Sequence, residues 1–202
     1  MAFDELHALK IKYSEWFGDM EITETEKKER ESLAEEIEIL FMALFLMAID
    51  DQDKQLCLDY ARNQYKQLCN KFLDANKTSA YINQYVNMIT ENILDVTLDN
   101  IKSDYYTSQD RAIFIAANEA NTIGNYREQV QKVKNGYKFK TWMTQGDDKV
   151  RPTHVLVDNT KIGVFEPFSV GDSKLMFPRD YSLGADSNEI INCRCVAIYS
   201  KT

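Results

Sequence analysis

Two cysteines and one histidine in the last third of the chain are the residues whose types and spacing could do chemistry. Cys193 and Cys195 are separated by a single residue, and His154 lies upstream of them. In an extended segment, residues i and i+2 point to the same face, so both sulfur atoms could reach one metal ion. Zinc takes four such ligands. The fourth would come from one of three nearby aspartates: Asp147, Asp148 or Asp158.

The sequence therefore predicts no cofactor and two small buried thiols that pack against a core histidine, with a zinc site whose ligands are His154, Cys193 and Cys195 as the alternative. The same residues could instead form a nucleophile and its base, with Arg194 lowering the pKa of the Cys193 thiol. No oxyanion hole or orienting residue stands at a recognisable spacing. We predict that the protein is not an enzyme and assign no catalytic residue. A metal- or thiol-dependent enzyme using His154 with Cys193 and Cys195 is the alternative function.

Two further charged residues could position this region. Pro152 holds Arg151 extended, so its guanidinium could pair with a turn carboxylate and latch two segments together, or be offered to a partner. Glu119 lies on a predicted helix among alanines. It could bond across to loop amides or an arginine of the C-terminal module, and the alternative is an exposed helix charge.

The elements that must hold these residues change character at Asn135-Gly136, a helix-end signal. Before it, apolar residues recur at helical spacing and proline is absent. The five predicted helices start near Phe3, at a Thr23–Glu26 capping box, after Asp53, at Thr78 or Ser79, and at Thr107 or Ser108. After it, Tyr137 to Thr144 alternates as a strand does, Gly171-Asp172 predicts a tight turn, and Cys195 to Tyr199 predicts a closing strand.

The predicted fold class is α+β, with an N-terminal multi-helix region followed by a small loop-rich β-containing C-terminal module. The predicted domains are a helical region over residues 1–106 and a module over 107–202. That module consists of a helix over 107–135 and a β-rich part over 137–202.

Charge and hydropathy exclude some classes of protein. The net charge is −8, and it lies in the helical part, which argues against a free-standing nucleic-acid binder. The longest apolar run, Ile39 to Ile49, would span about 16 Å as a helix, too short for a membrane. We expect it to be enclosed by neighbours or to form an oligomer contact. The first residues lack the pattern of a secretory signal, so we expect a reducing compartment and free or metal-bound thiols.

Several of these motifs together resemble the phage Mu F-like head morphogenesis, or minor capsid, protein family over about residues 107–199. The resemblance rests on the stretch from Arg111 through Glu119 to Asn121, on Trp142, on the Asp148-to-His154 motif DKVRPTH, on Phe168 and Pro178, and on Asn192-Cys193-Arg194-Cys195. Its structural signature residues here are Glu119, Trp142, Asp148, Arg151, His154, Asn192, Cys193 and Cys195.

The resemblance implies a phage or prophage minor head protein that acts in virion assembly and associates with the portal. Its partners would be the portal protein and other capsid or scaffold proteins, without a membrane, and contact with DNA stays open. The protein would be present in the host cytoplasm during assembly and inside the head of the virion. Some members of the family carry a toxin or enzyme domain after the motif. Because this chain ends shortly after Cys195, we expect no effector role.

Overall fold

The computed structural model describes residues 13–202, and it confirms the α+β class. The helices are α1 (Tyr13–Gly18), α2 (Glu24–Ile49), α3 (Lys54–Phe72), α4 (Ala80–Asp99), α5 (Gln109–Lys134), α6 (Pro152–Val157) and α7 (Ser187–Ile190), with a 3-10 turn at Asp104–Thr107. The strands are β1 (Phe139–Met143), β2 (Lys161–Gly163), β3 (Phe168–Val170), β4 (Ser173–Leu175) and β5 (Val196–Ser200). The predicted stripe at Phe3, Leu6 and Leu9 lies outside the described residues.

Side-chain caps fix several helix ends where the sequence predicts them. Thr23 and Glu26 form the capping box of α2: Glu26 Oε2 accepts from Thr23 N at 2.7 Å, and Thr23 Oγ1 accepts from Glu26 N at 3.2 Å. Asp53 and Ser79 cap α3 and α4. After α5, Gly136 has a φ of +74° and its N–H bonds back to the helix, which is the conformation glycine favours at a helix end.

The described chain forms two compact units. One comprises residues 13–16 and 31–117, and the other comprises residues 17–30 and 118–202. The predicted division between residues 106 and 107 falls within the first of these ranges. That predicted boundary stays a prediction.

The first unit is helical. Its core includes the edge-on ring pair of Phe41 and Tyr65, with centroids 6.0 Å apart. The apolar half of α2 is only partly enclosed, because Ile39 is 71% exposed, Leu46 57% and Ile49 53%. Within the single chain this helix is therefore not fully enclosed: one apolar stripe stays exposed while the residues on its opposite side fill the core. The other expectation, an oligomer contact, stays a prediction.

The second unit is built on a three-stranded antiparallel sheet with strand order β2-β1-β5, in which Trp142 of β1 pairs with Ala197 of β5. The strands β3 and β4 form a separate hairpin, whose tight turn contains Gly171 at a φ of +56°. This confirms the predicted strands and turn. Seven buried residues form the core of the module: Trp142, Val157, Phe168, Val170, Leu175, Cys193 and Cys195.

Among residues 13–202, no helix combines the length and the apolar character that crossing a membrane requires.

Candidate functional site

His154, Cys193 and Cys195 bring their donor atoms together in the core of the second unit. His154 Nδ1 lies 3.4 Å from Cys195 Sγ and 3.7 Å from Cys193 Sγ. All three atoms lie within 4.8 Å of one another, and all three residues are buried. The two cysteines are free thiols. The sequence named these three residues as candidate ligands, and the fold assembles them into one cluster.

Different elements deliver the three side chains. Pro152 begins α6, Arg151 before it is extended, and His154 is the third of the six residues of this short helix. Asn192 takes a left-handed conformation with a φ of 57°, which asparagine tolerates better than most residues. It is exposed and provides the turn that leads into Cys193 rather than a ligand.

Trp142 forms one wall of the cluster from β1. Its ring contacts His154 edge-on, with centroids 5.5 Å apart, and Phe168 edge-on at 5.2 Å. Its indole nitrogen is buried without a hydrogen-bond partner of standard geometry in the described part of the chain. An interaction of the indole with the Cys195 sulfur lowers the pKa of that thiol. The hydrogen bond with Cys193 and burial raise the same pKa by more.

The second ring nitrogen of His154 contacts a carboxylate. His154 Nε2 lies 2.9 Å from Glu189 Oε2, and the Thr153 hydroxyl donates to the same oxygen at 2.8 Å. A carboxylate at Nε2 favours the proton on that nitrogen, so the Nδ1 lone pair faces the sulfur atoms. Glu189 is therefore the group that orients the His154 ring, and no spacing in the sequence indicated it.

The part of α5 within the second unit holds the backbone of the two cysteines. Asn121 Nδ2 donates to the carbonyl oxygens of Cys193 at 3.2 Å and Cys195 at 3.4 Å. Asn125 Nδ2 donates to the Cys195 carbonyl at 3.1 Å. Arg179 Nη1 donates to the Cys193 carbonyl at 3.3 Å. Both cysteine carbonyls are thus fixed by buried side chains.

Side chains near α6 bind two further backbone carbonyls of the same loop. Arg151 Nη2 donates to the carbonyl of Ile191, and Gln145 Nε2 donates to that of Arg194 at 2.9 Å. Arg151 therefore joins two segments through a backbone carbonyl and not through the turn carboxylate that the sequence suggested. The turn carboxylate is Asp147, and it pairs with Arg194 at 2.6 Å.

The pKa values of the three clustered groups are set by opposing effects. Burial raises the pKa of Cys193, but hydrogen bonds from Cys195 and His154, with the charges of His154 and Arg179, lower it well below its usual value. The hydrogen bond to Cys193 and burial both raise the pKa of Cys195. Burial lowers the pKa of His154, yet the Cys193 thiolate raises it overall. The arginine whose charge lowers the pKa of Cys193 is Arg179, and Arg194 pairs with Asp147.

Three carboxylates named from the sequence lie apart from the donor cluster. Asp148 is exposed and, within residues 13–202, takes part in no hydrogen bond or ion pair. Asp158 Oδ1 accepts from the Thr144 N–H at 2.8 Å, and Asp147 is held by Arg194. None of the three is part of the group of metal-capable atoms. The expected aspartate ligand is therefore wrong, because Asp147 and Asp158 are bound elsewhere and Asp148 faces solvent.

Glu119 is buried on α5, and its Oε1 lies 3.9 Å from Arg179 Nη2. The carboxylate thus contacts an arginine of the C-terminal module, which was one of the two readings of the sequence. Arg179 itself has a positive φ of 71° and donates to Asn118 Oδ1 at 2.7 Å and to Thr122 Oγ1 at 2.6 Å. These contacts tie the loop after β4 to α5.

A cavity of about 20 Å³ borders the cluster, and its walls include Gln145, Arg151 and Asn192. This volume holds about one water molecule. A Cys193–His154–Glu189 arrangement could in principle activate a thiolate, but the Cys193 residue is only 2% exposed.

Sequence reasoning missed Glu189, Asn121, Asn125 and Arg179 as supports of the cluster. Asn121 and Asn125 lie four residues apart and therefore share one helix face, which is a signal that the sequence does carry. Glu189 and Arg179 carry no comparable local signal. Their positions depend on the path of the chain between β4 and β5.

Comparison with known proteins matches the chain to a protein family. The model of the phage Mu protein F-like family matches residues 61–198, a range that contains every residue of the cluster and extends upstream of the motifs that suggested the family, into α3 and α4. No curated protein and no solved structure matches the chain significantly.

Proposed function

Because the chain belongs to the phage Mu protein F-like family, we propose that it is a minor capsid protein of a tailed phage or prophage, acting in head morphogenesis in association with the portal. The family is one of phage head proteins with structural and assembly roles. The observation that carries the proposal is the family match, which covers well over half of the chain. The portal, other capsid proteins or the scaffold are the proposed partners, met in the host cytoplasm during assembly and inside the finished head.

The exposed apolar stripe on α2 supports a role in assembly. Ile39, Leu46 and Ile49 project from a helix whose other side is core, and apolar side chains grouped on one exposed face are the kind of surface through which head proteins could associate. We assign the portal-binding contact to this stripe.

Deletion of the gene from the phage or prophage tests the role directly. We expect the protein in purified proheads and virions by mass spectrometry, and we expect deletion to reduce the yield of infectious particles. Complementation with the unaltered gene should restore that yield. The proposal fails if proheads and virions lack the protein and the deletion leaves infectivity intact.

A matched pair of variants tests the contact. Ile39→Lys/Leu46→Lys should remove co-purification with the portal while leaving the melting temperature within a few degrees of the parent, because surface changes cost little stability. Phe165→Lys is the control, since Phe165 is 76% exposed in the second unit. Retention of the portal by the Ile39→Lys/Leu46→Lys variant would place the contact elsewhere.

A further inference from the structure

We propose that His154, Cys193 and Cys195 bind one zinc ion, through His154 Nδ1 and the two sulfur atoms. Tetrahedral zinc with Zn–N bonds of about 2.0–2.1 Å and Zn–S bonds of about 2.3 Å requires N···S separations of roughly 3.6 Å. The two N···S separations here are 3.4 and 3.7 Å. Two of the three donor–donor separations therefore match the edge lengths of a zinc tetrahedron, and the two sulfur atoms lie within 4.8 Å of each other.

The backbone of the cysteine loop, from Ile191 to Cys195, is held by more hydrogen bonds than packing alone requires. Side-chain donors hold the carbonyls at four of its five positions, all but Asn192: Ile191, Cys193, Arg194 and Cys195. Two thiols that only fill volume can tolerate small shifts of the loop. Metal ligands cannot, because Zn–S bond lengths vary little. The loop is built to keep two sulfur atoms in place.

The surroundings of His154 match those of a metal-bound histidine. Such a ligand commonly donates its distal N–H to a carboxylate, which fixes the ring and increases the basicity of the other nitrogen. Glu189 occupies this position on Nε2, and Thr153 orients Glu189 in turn. His154 thus has a carboxylate partner that supports its metal-binding form.

Ligand chemistry selects zinc among the common ions. Two thiolates and an imidazole favour a soft or borderline metal over magnesium or calcium. Two thiolate charges also neutralise Zn²⁺, which suits a buried site. The fourth position faces the cavity of about 20 Å³, which accommodates one water molecule. No aspartate from the sequence-based set reaches it, so we assign that position to water.

The test uses the full-length chain without a histidine tag, purified under reductant, stripped with a chelator and returned to zinc. We expect one zinc per chain after gel filtration, by elemental analysis. Cobalt(II) should give intense tetrahedral d–d bands and a thiolate-to-metal charge-transfer band. Substoichiometric zinc, or cobalt spectra without thiolate bands, would overturn the proposal.

Matched thiol variants locate the site. Cys193→Ser and Cys195→Ser should each lose the zinc, whereas Cys57→Ser and Cys69→Ser should keep it, because those two buried thiols lie on α3 in the other unit. Circular dichroism checks that each variant is folded. Equal zinc retention in the Cys193→Ser/Cys195→Ser double variant contradicts the assignment. A Cys193–Cys195 disulfide in protein purified without reductant, with no zinc bound, contradicts it as well.

A milder variant keeps the test decisive if the cysteine variants unfold. Glu189→Gln retains the shape of the carboxylate and all three ligands. It should weaken zinc binding about 10- to 100-fold in a competition titration, the usual effect of losing such a partner. Asp148→Asn is the control and should leave the affinity unchanged. If Glu189→Gln binds zinc as tightly as the parent, Glu189 does not support the site. If Asp148→Asn loses affinity, Asp148 and not Glu189 supports it. Either outcome contradicts the arrangement proposed here, and neither bears on the role in head assembly.

Discussion

Arg30 is a buried cation that organises the α5 asparagines from within the same unit. Its guanidinium donates to Asn121 and to Asn125 Oδ1, the latter at 3.3 Å from both terminal nitrogens. Burial lowers its pKa to about 10, so it stays charged at neutral pH. The same two asparagines donate to the cysteine carbonyls, so Arg30 helps to fix the backbone of the cluster through them. Gly124 is what leaves room for its side chain.

Gly124→Ala should destabilise the protein, although the same change inside a helix ordinarily stabilises it by about 1 kcal/mol. A Cβ at residue 124 would lie 2.6 Å from Cζ and Nε of Arg30, and the hydrogen bonds of the guanidinium restrict its movement. Overpacking of this kind costs about 1–3 kcal/mol, which denaturant unfolding would measure. In an Arg30→Ala background the added methyl should become neutral or stabilising. A higher stability of Gly124→Ala in the unaltered background would contradict this reasoning.

At the level of residues, the sequence predicts the three clustered side chains better than it predicts their supports. His154, Cys193 and Cys195 stand out because few residue types bind metals and their spacing is short. Asp148 was predicted to take part on the same grounds, yet it faces solvent, since the turn presents Asp147 to Arg194 instead. Glu189 could not be found from the sequence, because a lone carboxylate on a four-residue helix resembles any surface charge.

Between elements, the start of α2 and the middle of α5 meet in a cluster of charges within the second unit. Glu128 lies 3.3 Å from Lys132 and 3.7 Å from Arg127, and Lys132 lies 3.7 Å from Glu26. Burial raises the pKa of Glu128, the neighbouring Glu26 raises it further, and Lys132 only partly compensates. A carboxyl whose folded-state pKa is raised favours the folded state when protonated. That contribution is present below the unfolded-state pKa and is lost as the pH rises through the folded-state pKa.

Glu128→Gln should therefore raise the melting temperature at about pH 7, because the amide imitates the protonated carboxyl and can still donate to Glu26. The difference from the parent should fade as the pH approaches about 4, where Glu128 is protonated in both states. Thermal unfolding across this pH range measures the effect. Glu24→Gln, an exposed neighbour, should change little at any pH. A lower melting temperature at neutral pH would mean that the ion pair with Lys132 dominates.

At the level of elements, local signals were sufficient where the local chain decides the structure. The Thr23–Glu26 box, Asn135-Gly136 and the alternation from Tyr137 to Thr144 each predicted the element observed. The apolar run of α2 did not reveal its exposed stripe, because a helix that is apolar all round gives no periodicity from which to choose the buried side. The sheet order β2-β1-β5 could not be predicted from the sequence either, because it depends on pairing between distant segments.

Over the whole molecule, the family match and the two units divide the chain differently. The match spans residues 61–198 and so includes parts of both units, while every proposed zinc ligand lies in the second. Zinc binding should therefore stabilise one unit selectively. Its effect can be separated from any effect on the helical unit, where the apolar stripe of α2 lies.

Removal of zinc should be visible by hydrogen exchange as a local event. We expect faster amide exchange over residues 145–157 and 187–196, because these segments carry the ligands and lose their cross-link when the metal leaves. Exchange in α3 and α4 should stay the same, since neither helix contains a ligand or belongs to the same unit. The Cys193→Ser/Cys195→Ser variant should show no difference between zinc and chelator. Faster exchange in α3 and α4 on chelation would mean that the metal supports the fold as a whole. Equal exchange everywhere would mean that the cluster of His154, Cys193 and Cys195 is rigid without the metal.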